Sequence, residues 1–301
     1  MTQTRKAWFA LFLTAAFCLF SPPTRAGEAI APCEAFHRIL FLASDDTRLH
    51  QEVFQGLRSR LPQDIPLVYT ALGGPDAAPW VQSTDCPCCL VVTSGTRALQ
   101  HAVKRVSRAR VLSITIPREA YRRIMAQVPD PRRYAAVYMD IPLEQRIALT
   151  RRHLAGMERF AIVQSAQGPF AAQGADDPAE VVRLVSHGEA DLVDTFTRAA
   201  RQADAILTLP DRHIYNPRTI VSIMMTTYRQ GTPLIGHSEA LLRAGALLSI
   251  HAPPQRLGTE AAHLIRHPPA DWGGTRQHTQ EQVVAVNEQV ARALRIHVER
   301  P

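Results

Sequence analysis

The sequence predicts an α/β protein made of two successive doubly wound parallel sheets, each covered by helices. Three observations predict it. From residue 38 onward, short apolar or β-branched runs alternate with amphipathic helical stretches, which is the rhythm of βαβ units. The alternation runs to about residue 139 and then starts again near residue 143. The chain has 301 residues, and the 275 left after a 26-residue leader are enough for two modest domains or one large α/β domain.

Ile39 to Ser44 reads as the first buried strand. In the helix after it, Leu49, Val53, Phe54, Leu57 and Leu61 share one face, as a period of 3.6 requires. Pro66 to Leu72 and Leu90 to Ser94 read as strands, Thr96 to Lys104 as a helix, and Val111 to Ile116 and Tyr134 to Met139 as further strands. The second set opens with a helix from Leu143 to Leu154 that turns Leu143, Ile147 and Leu154 inward. Its strands are Phe160 to Gln164, Val181 to Val185, Ala205 to Leu209 and Pro233 to Gly236. Leu192, Val193, Phe196, Ala199, Ala200 and Ala203 line the face of another helix. Asn216 followed by Pro217 predicts a capped helix start, with the helix running to Arg229. Gly73 to Cys89 and Ala166 to Pro178 are rich in Gly, Pro, Ala and Asp and lack helical periodicity, so both are expected as irregular loops.

Before the first strand, Arg5 and Lys6 precede an apolar run from Ala7 to Phe20, followed by Pro22, Pro23 and the small residues Thr24 and Ala26. The run is about 14 residues where a membrane span needs roughly 20, so residues 1–26 read as a cleavable secretory signal. Bulky Phe17 argues against lipidation of Cys18. Cleavage after Ala26 removes three of the basic residues and lowers the net charge from +7 to +4. That mild surplus, with no basic run interleaved by aromatics, speaks against nucleic acid as a partner. Nothing matches GxGxxG, a P-loop or HExxH, so no cofactor is expected.

Four cysteines follow the signal: Cys33, Cys86, Cys88 and Cys89. In an exported protein they read as disulfide candidates more readily than as ligands of a soft metal, and no metal site is expected. Cys33 lies just before the first strand and the triplet just before the third, which are near neighbours in a doubly wound sheet. A bridge from Cys33 to one of the three is therefore expected, its partner left open.

A set of blocks in the second half resembles a known family. They are Tyr138 to Leu149, Ala205 to Asp211 with Tyr215 and Asn216, Thr226 to Arg229, Pro233 to Ser238, Ala244 to Leu248, and Val284 to Arg292. In order and spacing they are similar to the ABC-transporter substrate-binding proteins that include tryptophan and tyrosine binders. The resemblance covers residues 134–296 and implies a type I periplasmic-binding fold, two α/β lobes joined by three crossing segments. The crossings are expected near Asp140 to Pro142, near Ser238 to Ala240, and between His267 and Val283. Lobe one would then hold 34–142 plus 239–268, and lobe two 143–238 plus 280–298. The tyrosine that often follows the Ala-Gly-Ala-Leu block is absent, His251 to Pro254 standing in its place. The resemblance implies capture of a small solute of amino-acid-like kind and its delivery by a monomer to a membrane permease. A sensor or interaction module of the same fold is the alternative.

In such a fold the solute meets the carboxyl ends of strands, where N–H groups and helix starts converge. Ser44, Asp45, Ser94, Thr96, Ser165, Asp211, Asn216 and Ser238 stand at those positions and are the expected ligand-binding residues. The resemblance to amino-acid binders, in which an acidic residue after this strand is placed to meet an amino group, implies that role for Asp211. Ser94 with Thr96 at a helix start would suit a carboxylate. Each residue type also fills ordinary turn and cap roles. Gly236 to Ala240 could alternatively be a nucleophile elbow, with Ser238 served by Asp271 and His278 or His297. Too little chain follows for that fold's acid and base, and a non-enzyme is expected.

Overall fold

A computed structural model of the chain describes residues 33, 35–74, 77–168, 170 and 177–299. The expected signal peptide lies outside them, as does part of the expected loop from Ala166 to Pro178. In chain order the first sheet takes β1 (Arg38–Ala43), β2 (Leu67–Ala71), β3 (Cys89–Ser94), β4 (Arg110–Ile116), β5 (Tyr134–Tyr138) and, much later, β11 (Arg276–His278). Its order is β11-β5-β4-β3-β1-β2, parallel throughout. The second sheet takes β6 (Phe160–Ser165), β7 (Val181–Ser186), β8 (Ala205–Leu207), β9 (Leu234–Gly236), β10 (Leu248–His251) and β12 (Val283–Val286). The order β12-β10-β9-β8-β6-β7 repeats the first, with β12 antiparallel at its edge.

Alternation along each strand splits it between two cores. In β1, Ile39, Phe41 and Ala43 face one helical layer and Leu40 and Leu42 the other. In β6, Phe160 and Ile162 divide from Ala161 and Val163 in the same way. The first sheet carries α1 (Arg48–Arg58), α2 (Ala77–Ser83), α3 (Thr96–Arg105), α4 (Arg118–Met125) and the returning α9 (Pro254–Arg266). The second carries α5 (Leu143–His153), α6 (Glu189–Gln202), α7 (Ile220–Arg229), α8 (Glu239–Ala244) and α10 (Glu288–Leu294).

Three expectations need correction. The stretch from Gly73 to Cys89 holds the short helix α2, whose Ala77 and Val81 are buried, a spacing of four. Asn216 does not cap α7 directly: its Oδ1 accepts from Arg218 N at 3.0 Å in a preceding turn, and the helix begins at Ile220. The crossing placed near Ser238 to Ala240 falls later. β9, α8 and β10 all stay with the second sheet, because β10 pairs with β9 and β12, and the chain returns only between His251 and Pro254. The first connection runs through Met139–Pro142 and the third between His278 and Val283.

The cysteines form two bridges. Cys33 pairs with Cys88, Cα atoms 5.6 Å apart, and Cys86 with Cys89, 5.1 Å apart. β1 and β3 are direct neighbours, Arg38 opposite Cys89, which brings Cys33 to the triplet. The second bridge goes beyond the single one expected, and all four sulfurs are engaged.

Candidate functional site

The carboxyl edges of the two sheets gather the side chains that the sequence pointed to. On the first sheet, Ser44 Oγ accepts from Ala98 N in the first turn of α3 at 3.0 Å. Gly95 precedes that helix with φ +91°, and a Cβ there would press on Ser44 Oγ at 2.6 Å, so only glycine fits. Ser94 Oγ lies 2.7 Å from Thr115 Oγ1 and 2.7 Å from His50 Nδ1, and His50 Nε2 lies 3.4 Å from Asp45 Oδ1. Ser94 is fully buried, so the Asp-His-Ser string presents no nucleophile to solvent. Burial pushes the His50 pKa down, ahead of the opposing pull of Asp45. Thr115 has φ +51°, rare for a β-branched residue, where the β4–β5 register shifts. Sequence reading missed Thr115 and His50, although His50, Val53 and Leu57 share a helical face that could have shown the latter.

On the second sheet the expected residues are also bonded locally. Asp211 is 1% exposed, with Oδ2 accepting from Ser165 N at 3.0 Å and Oδ1 from His213 N at 3.0 Å. Ser165 Oγ accepts from Gln167 N at 3.1 Å. Ser238 Oγ accepts from Leu241 N at 3.3 Å and caps α8. Its backbone is extended, with φ −156° and ψ 156°, unlike a strained elbow. Asp271 and His278 serve elsewhere, the first accepting from Gly274 N at 2.8 Å and the second sitting in the first sheet. Of the eight expected residues, Asp45 and Thr96 on the first sheet and Asn216 and Ser238 on the second are the ones not buried.

Beside these edges, where the connections pass between the sheets, lies a cavity of about 390 Å³. Asp140 from the first connection, Ile250 from β10 and His278 from β11 are among its lining. Arg118 and Arg122 of α4 face it from the first sheet's layer, and Arg146, Pro210 and His237 from the second's. None of the eight expected residues is among its lining.

The first and third connections are tied to each other beside the cavity. His278 Nδ1 lies 2.7 Å from Asp140 O, and Thr279 N donates to Tyr138 O at 3.0 Å. Glu260 of α9 accepts from Thr279 Oγ1 at 2.8 Å and from Gln277 Nε2 at 3.1 Å. Arg118 N donates to the Asp140 carboxylate at 2.7 Å, while burial raises the Asp140 pKa.

Arg146 is the least expected member. It belongs to a buried stripe on α5 with Thr150 and His153, at i, i+4 and i+7, beside the apolar face that the sequence predicted. Nη1 donates to Thr208 O at 2.6 Å and Nη2 to Ile235 O at 3.2 Å, the first just past β8 and the second in β9. Nε has no partner, nor has the nearby buried Tyr215 hydroxyl. Burial lowers the Arg146 pKa to about 10, which leaves it charged at neutral pH. His237, with Nδ1 at 2.8 Å from Thr208 Oγ1, is pushed down to about 3, first by burial and then by Arg146, and is neutral.

Solved structures share this architecture. The chain is similar to a substrate binding protein with adhesive properties from Clostridium difficile, solved ligand-free and open, with TM-score 0.64 and 12% identity over 88% of this chain and 96% of that one. A conserved domain protein from Vibrio cholerae is similar with TM-score 0.60 and 16% identity over 87% of this chain and 95% of that one. An ABC domain in complex with L-Trp from Streptococcus pneumonia gives TM-score 0.58 and 15% identity over 87% and 95%. No family model and no curated protein matches the chain. At such identities the likeness is one of fold, and the fold is the type I periplasmic-binding fold, two α/β lobes of matching strand order.

Proposed function

We propose that the chain is an exported periplasmic protein that captures a small solute between its two lobes and delivers it to the permease of an ABC transporter. The carrying observation is the cavity beside the first connection, lined by Met139, Asp140, Ile141 and Pro142 together with Ile250 of β10 and His278 of β11, since a hinge motion there would open or enclose whatever occupies it. Its volume of about 390 Å³ falls within the range of small-molecule sites. In this reading lobe one is 34–142 with 254–278, and lobe two is 143–251 with 283–298. The revision from the expected 239–268 follows β10 and α8 into the second sheet. Two disulfides suit an oxidising compartment, and among the described residues no helix is long and apolar enough to cross a membrane. Ser94 and Ser238, the two serines with a catalytic look, are held in internal bonds, which favours binding over chemistry.

A thermal-shift screen of the mature chain against amino acids, organic acids, sugars and nucleosides tests this proposal. A solute that binds only the folded state adds about 2.7 kcal/mol at a hundred times its Kd. One chemical class should raise the melting temperature in a saturable way. No shift from any class would contradict solute capture.

A further inference from the structure

We infer that the captured solute carries an oxyanion, foremost a carboxylate, and that the Arg146 guanidinium is its partner on the second-lobe side of the cavity. The inference rests on the solute-binding reading and names the class of solute. Its basis is a buried guanidinium with an unused donor. Against the lowering by burial, Asp140 is near enough to raise the Arg146 pKa, yet no carboxylate among the described residues forms an ion pair with it. Arg146 is 4% exposed, and a buried cation is normally matched by a carboxylate because desolvation alone costs several kcal/mol. Among the described residues Arg146 makes no ion pair. Its two bonds go to neutral carbonyls and Nε donates to nothing.

The carboxylates around the cavity are otherwise committed. Asp177 pairs with Arg183, whose Nη1 also donates to Gln164 Oε1 at 2.8 Å. Glu119 pairs with Arg122 at 3.3 Å. Asp140 takes the Arg118 N–H at 2.7 Å and lies 3.8 Å from His278 Nδ1, with no ion pair to Arg146. Glu144 stands two residues from Arg146 on α5, a separation that puts two side chains on different sides of a helix. What remains is a guanidinium edge that suits a planar oxyanion, whose oxygens take N–H donors in parallel. The unpartnered Tyr215 hydroxyl lies close enough to Arg146 for each to shift the other's titration, a second idle donor in the same neighbourhood.

The test pairs acids with their uncharged counterparts. Amino acids, succinate and inorganic phosphate are compared by thermal shift with amino-acid amides, ribose and glycerol. The best acid and its primary amide are then titrated by calorimetry into the unaltered mature chain and into Arg146→Gln. Stabilisation should be confined to oxyanion-bearing probes. The amide should bind at least about tenfold more weakly than the acid, the loss expected for one charge-assisted bond. Arg146→Gln should abolish most of that difference. If a sugar or an amide binds as well as the acid, or if Arg146→Gln keeps the acid's advantage, the inference is overturned and solute capture stands. If no probe of any class binds, both fall. The acid–amide comparison needs only the unaltered protein and decides the matter even if Arg146→Gln does not fold.

Discussion

Asp211 holds two segments of the second lobe together, the end of β6 through Ser165 and its own loop through His213. Its place after a strand was legible, and so was its proximity to the carboxyl edge. Its direction was not, because a carboxylate after a strand can face a ligand or staple its own loops. Here it takes Ser165 N and His213 N and is buried. Asp211→Ala should therefore cost about 1.5–3 kcal/mol of stability, the penalty for removing a charged acceptor from buried donors, read as a lower midpoint in urea. An unchanged midpoint would show that the staple carries no load. Arg146 is the converse: an arginine in an amphipathic helix reads as a surface residue, and only the sheet behind it reveals burial. His237 carries a pH signature. An unfolded histidine titrates near 6.5 and the folded one near 3, so between those values the unfolded chain binds more protons. Stability should fall with falling pH by about 1.4 kcal/mol per unit within that window. His50, lowered by burial, acts in the same direction. Urea unfolding at pH 7 and pH 5 should show the loss, and His237→Gln should flatten the slope.

At the scale of elements, strands with strong apolar or β-branched runs were legible nearly to the residue, as with β1, β3 and β4. The misses share a cause, elements too short for their pattern to show: α2 is seven residues long. The second crossing was misplaced because β10 spans four residues, and only its pairing with β9 and β12 assigns it to a sheet. Once past β10, the chain returns through α9, which packs closely on α1. Gly258 lies against the backbone of Val53 and Leu57, and Gly56 against that of Gln255, so a Cβ on either would overlap main-chain atoms. Gly258→Ala should separate the helices and cost about 1–3 kcal/mol, the usual range for overpacking a core. A thermal melt of that variant checks it. An unchanged melting temperature would mean that the two helices part freely.

For the whole molecule, the repeated strand order is the fact from which the rest follows. The restart of the strand–helix rhythm near residue 143 was enough to foresee two sheets. It could not foresee the cavity, because residues from α4, the connections and α5 meet there across long separations in sequence. Bonds among Asp140, His278 and Thr279, with Glu260 of α9 behind them, hold the first and third connections together, and closure about them is the central claim. Small-angle X-ray scattering of the mature chain, with and without a saturating amount of the solute found by the thermal screen, tests it most directly. Capture between the lobes predicts a smaller radius of gyration with solute bound. An unchanged radius at full occupancy, established by calorimetry on the same sample, would contradict it.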